Sequence, residues 1–224
     1  MDKLITNYHV TVTKALLGSL IVGLGFFLAT TYINPLISAL APFSMMIMSA
    51  IAFVVVYGPK HFLDLFSKPN DPKGNIKNFF KYFILTAVLG MSLGILLNLL
   101  FHNSLAANPE AGNLGVIILK LPFMLLGEEL LSFFFLLVIA NLVYKKTGNR
   151  PKAELVGIIL SSIIFGLMHY TTYYNGNIMV TLLHVILVQG SARVAFNISG
   201  LRANSIWLPL LIHIVYDLIF LSFS

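Results

Sequence analysis

The side chains here that could do chemistry are ionisable groups set inside apolar segments. Glu128 and Glu129 are adjacent within the run Gly115–Tyr144, and His169 lies at the end of Leu155–Tyr170. His184 and Arg193 fall in Ile178–Ile198, and His213 and Asp217 in Ile206–Leu221. An ionised group at a bilayer centre costs about 2.5–3.5 kcal/mol on insertion scales, so such groups persist where they pair, line a wet cavity or react. A buried carboxylate is a candidate general base, and an imidazole beside it a candidate proton carrier. Neighbours on a helix point about 100° apart, so Glu128 and Glu129 must face different partners. His213 and Asp217, at i and i+4, share a face, which places Asp217 either to fix the imidazole tautomer or to raise its pKa. His184 and Arg193 are about two and a half turns apart and are expected to face different directions. A salt bridge to Glu128 or Glu129 is the expected way to neutralise Arg193.

The elements that must hold these groups follow from composition. Of 224 residues, 58% are hydrophobic and 10% charged, and the mean hydropathy is +0.91. A soluble domain carries about 25% charged residues. The composition therefore excludes an ordinary soluble enzyme, a disordered chain and a nucleic-acid-binding domain. The net charge of +6 is what basic loops on one side of a membrane produce, and no nucleic-acid partner is expected. The apolar runs are long and do not alternate as barrel strands do. The expected fold is all-α, a polytopic membrane helical bundle with the lipid bilayer as its solvent. Cysteine is absent, which removes disulfides, thiolate zinc sites and a cysteine nucleophile.

About seven spans are expected, with Leu16–Ile33, Phe43–Tyr57 and Phe79–Phe101 preceding the four runs above. Phe43–Tyr57 needs the preceding Pro35–Pro42 to reach across. Gly115–Tyr144 is too long for one straight span, and Pro122 is expected to divide it by a kink near Leu121. Gly58–Lys77 is expected to be a loop within one integral membrane domain, residues 1–224. The first span lacks a clear cleavage site and reads as a retained helix. Lys and Arg sit before the first span and in the second, fourth and sixth loops, while the first, third and fifth loops have none. By the positive-inside rule the N-terminus is cytoplasmic.

Three motifs occur in order: Glu128-Glu129, Phe165-x-x-x-His169 and His213-x-x-x-Asp217. Over about residues 115–221 they resemble the CAAX protease and bacteriocin-processing family, the abortive-infection-like intramembrane glutamic endopeptidases. The resemblance implies that Glu128, with His169, activates a water for attack on a peptide bond. It implies that His213 and Asp217 stabilise the oxyanion, with Glu129 as the second motif carboxylate. The implied partner is a peptide or membrane-protein substrate, in peptide processing or bacteriocin self-immunity, in a bacterial plasma membrane. No cofactor is implied. Two positions depart from the family pattern. Phe133 stands where the first motif usually has Arg, and Asp217 where the last often has Asn. Arg193 is a candidate replacement for the missing Arg, with His184 as a further supporting residue.

Three other readings fit the same residues. Zinc held by His169, His184, His213 and Glu128 is one, although no HExxH pattern is present. A catalytically inactive membrane scaffold or immunity protein of the same fold is another, and Phe133 and Asp217 favour it. A proton-coupled transporter is the last, and the lack of inverted repeats speaks against it.

Overall fold

The computed structural model describes residues 1–101 and 114–222. These form ten α-helices and one π-helical turn, with no strand among the described residues. The helices are α1 (Asp2–Thr6), α2 (Val12–Thr30), α3 (Pro35–Tyr57), α4 (Pro59–Asp64) and α5 (Pro72–Phe101), then α6 (Leu114–Thr147), α7 (Arg150–Met168), α8 (Ile178–Leu183), α9 (Gly190–Ala203) and α10 (Trp207–Ser222). The π turn, His184–Gln189, joins α8 to α9 without a break.

Six segments are long and apolar enough to cross a membrane: α2, α3, α5, α6, α7 and the continuous run α8–α9. The seventh expected span is α10, a shorter apolar helix. Prolines open α3, α4 and α5, where a missing N–H costs nothing. This shortens the expected Gly58–Lys77 loop, because α4 and the start of α5 occupy much of it. The second apolar run is likewise extended backwards by Pro35–Pro42 into one helix. The expected division of the fourth run is not observed. The helix α6 runs through Pro122 without interruption. Pro122 lies in its third turn, where most of the helix on either side remains hydrogen-bonded.

The most buried span is α6, and the others wrap it. It packs on α3 and α7 and also meets α1 and α10. The hairpin α2–α3 covers one side, and α5, α9 and α10 pack together on another. Asn141 of α6 ties down the N-terminal segment: its amide donates to the carbonyls of Leu4, Ile5 and Tyr8, and its Oδ1 accepts from the Val10 N–H. Small residues permit the closest helix approaches, as in membrane bundles generally. A Cβ at Gly127 would lie 2.8 Å from the Met46 backbone nitrogen of α3, and one at Gly166 would collide with the Val185 carbonyl of the π turn. Each of these two glycines adjoins a motif residue in the chain. Gly127 precedes Glu128, and Gly166 follows Phe165.

Candidate active site

A cavity of about 290 Å³ lies between α2, α3, α6, α7, α10 and the end of the π turn. Glu128, His169, His213 and Asp217 all line it, together with Tyr173 and Gln189. Thus α6, α7 and α10 each bring a motif residue to one space.

Glu129 does not line the cavity. It is fully buried behind His213 and accepts a hydrogen bond from the Arg193 guanidinium. Its other carboxylate oxygen lies 2.9 Å from His213 Nδ1. A carboxylate paired with Arg only accepts, so Nδ1 carries the hydrogen. Nε2 therefore faces the cavity. There it lies 3.8 Å from Glu128 Oε2 and 3.8 Å from Asp217 Oδ2. Those distances are too long for direct hydrogen bonds and suit a bridging water. The expectation that Asp217 fixes the His213 tautomer is corrected, because Glu129 holds Nδ1 and Asp217 faces the opposite nitrogen.

His169 caps the C-terminus of α7 and lies just past its last residue rather than inside it. Its Nδ1 is 2.9 Å from the Phe165 carbonyl. A carbonyl only accepts, so Nδ1 donates, and in the neutral ring Nε2 is left with its lone pair. The Phe165-x-x-x-His169 spacing thus has a local cause: it lets the imidazole reach back one turn to its own helix.

Arg193 is fully buried on α9. Its guanidinium lies 4.9 Å from the Phe165 ring centroid and 5.1 Å from that of Phe196. Its Nε and Nη1 make no hydrogen bond among the described residues. The two aromatic faces supply the favourable field that those donors lack from oxygen. Phe196 also packs against His213 with its ring tilted, centroids 4.7 Å apart. Phe133, at the motif position where Arg is usual, is fully buried among apolar side chains, and its ring packs against Gly200.

His184 is buried off the cavity, with its ring centroid 4.7 Å from that of Tyr173. Arg193 lies against Phe165 of α7, and Tyr173 follows that same helix. The two thus meet different partners, Arg193 reaching Glu129 of α6 and Phe165 of α7, and His184 the segment after α7. The π turn between them is wider than an α-turn, and α-periodicity does not carry across it. Among the described residues, no group of three or more His, Asp and Glu is arranged to hold a metal ion.

Several polar residues here were not among the sequence candidates. Tyr173 and Gln189 line the cavity. Deeper in the bundle, Asn197 accepts from Ser132 and donates to Ser161 and Ser162, which joins α6, α9 and α7. The signal for these was a stripe. Gln189, Arg193 and Asn197 recur at i, i+4 and i+8, one face of a helix.

Residues 110–219 match the family model described as type II CAAX prenyl endopeptidase Rce1-like. Through this C-terminal half, the chain belongs to that family. All the motif residues of the Rce1-like segment fall inside the match, as does the arginine that stands outside the usual motif. No curated protein and no solved structure matches the chain. The chain is accordingly an integral membrane protein of a membrane endopeptidase family.

Proposed function

We propose that this protein is an intramembrane glutamic endopeptidase that processes a peptide or a membrane-anchored protein in a bacterial plasma membrane. Peptide maturation or self-immunity to a bacteriocin is the setting, and no cofactor takes part. The observation that carries the reading is the shared cavity, where a carboxylate and two imidazoles of defined tautomer face one space.

Glu128 is the base. Its carboxylate takes a proton from water held between it and the His213 edge, and His169 Nε2 is the second acceptor on the same cavity. The hydroxide attacks the scissile carbonyl carbon and the C=O pair moves onto oxygen. On collapse the C–N bond breaks, and the amine leaves with the proton that Glu128 received. Donors fixed before reaction stabilise the oxyanion most effectively. His213 supplies one when Nε2 is protonated, and Asp217 Oδ2 faces that nitrogen at 3.8 Å. Glu129 and Arg193 are positioning residues that hold the imidazole.

Tyr173 and Gln189 add a second donor. The phenol O–H of Tyr173 and the amide N–H groups of Gln189 can each donate into the cavity that both line. An ionised Asp217 cannot donate where Asn would, and this pair provides what the substitution removes.

The test is cleavage of a panel of internally quenched peptides, with and without a prenylated cysteine, by purified protein in detergent. Wild type is expected to cut at least one. Glu128→Gln and His169→Ala are expected to lose that activity. Equal cleavage by Glu128→Gln, or no cleavage of any peptide by wild type, sinks the reading in favour of an inactive scaffold.

A further inference from the structure

The basic residues and the cavity occupy opposite ends of the bundle. Of the 14 Lys and Arg, all but Lys120 and Arg193 lie at one end. They sit on α1, the first turn of α2, the α3–α5 connection and the start of α5, the α6–α7 turn and the end of α9. Arg193 is buried in the core, and Lys120 is in the early turns of α6. The cavity is walled by the other ends. Ala29 and Thr30 close α2, Leu121 lies early in α6, Met168 and His169 close α7, and Thr172 follows. Counted along α6 at 1.5 Å per residue, Glu128 lies about 21 Å from Leu114 and about 28 Å from the basic end at Thr147.

Clustered Lys and Arg mark the cytoplasmic side of a membrane protein. We infer that the cavity opens away from the cytoplasm, and that its substrate is a peptide segment already carried across the membrane or anchored in the outer half of the bilayer. A lipid-modified tail that stays in the cytoplasm would have to reach past the middle of α6 to meet Glu128. The cavity walls suit such a segment. Phe26, Met45 and Leu125 give apolar contact, while the motif residues offer partners for one peptide bond. The sidedness stands on charge and geometry; the word substrate rests on the endopeptidase reading.

The absence of cysteine makes single-cysteine labelling direct. Thr172→Cys is at the cavity mouth and Lys146→Cys at the basic end, and both positions are exposed. A membrane-impermeant maleimide is expected to label Thr172→Cys on intact cells, and Lys146→Cys only after permeabilisation. Any other pattern, the reverse included, overturns the inference. The second arm uses the quenched peptide cut fastest in detergent, added outside right-side-out or inside-out vesicles. Right-side-out vesicles are expected to cleave it at least tenfold faster. Faster cleavage by inside-out vesicles overturns the inference and leaves the endopeptidase reading intact. Labelling as expected, with no peptide cut in detergent, overturns that reading and leaves the sidedness.

Discussion

Arg193 on α9 makes the ion pair with Glu129 that no residue of α6 can make, because the position one turn on from Glu129 is the apolar Phe133. Both charged side chains are fully buried. The pair therefore links the helix carrying Glu128 and Glu129 to the helix that follows the π turn. It also fixes the carboxylate that orients His213.

Removing one partner of a buried pair leaves an uncompensated charge and costs about 3–5 kcal/mol. Arg193→Leu and Glu129→Gln are each expected to lower the unfolding midpoint sharply. The double variant is expected to lose far less than the sum of the two. A thermal double-mutant cycle in detergent measures this coupling, and strict additivity would remove Arg193 as the surrogate for the motif arginine.

The two adjacent glutamates are expected to separate by phenotype. Glu128 is partly exposed to the cavity, its side chain 19% accessible, whereas that of Glu129 is 0% accessible. Glu128→Gln should reduce kcat by about 10²–10⁴-fold, the range of general-base catalysis, and leave the unfolding midpoint within a degree or two. Glu129→Gln should lose both stability and activity. Matching losses of stability in the two variants would contradict the assignment of base and positioning residue.

Tyr173→Phe deletes the phenol donor and little volume. On the oxyanion assignment, kcat falls by on the order of 10²-fold while KM hardly moves, as for an interaction made only in the transition state. Asp217→Asn in the Tyr173→Phe background returns an N–H to the cavity and should recover part of that loss. A normal kcat for Tyr173→Phe, measured where Glu128→Gln is inactive, would show that the Tyr173–Gln189 pair takes no part.

Gly166→Ala places a methyl group against the Val185 carbonyl. Neither backbone can yield without moving the π turn off α7, and overpacking of this kind costs about 1–3 kcal/mol. Since the turn aligns Gln189 and Arg193, activity should fall with stability. Unchanged melting and unchanged turnover would mean that the turn is not held by this contact.

Activity is expected to survive dialysis against a zinc chelator. Loss of cleavage on chelation, with recovery on adding zinc, would replace the glutamate-only chemistry with the metal reading.

Much of this was legible in the chain itself. Its apolar runs are longer than a soluble core needs and its charges are sparse, so lipid as solvent and helices as spans followed from composition and length. The motif residues stood out because ionisable groups are costly in apolar helices. What stayed hidden depended on registry between helices. Composition and spacing could not place Arg193 against Glu129 rather than Glu128, since adjacent glutamates differ only by a rotation that packing decides. They could not show Glu129 holding His213 Nδ1, because residues 129 and 213 meet only when α10 docks on α6. The π turn breaks the periodicity on which facing arguments depend, so the side of the bundle that His184 meets could not be carried over from α9. Local sequence set which segments enter the membrane; the side-chain fit between them decided which polar groups meet there.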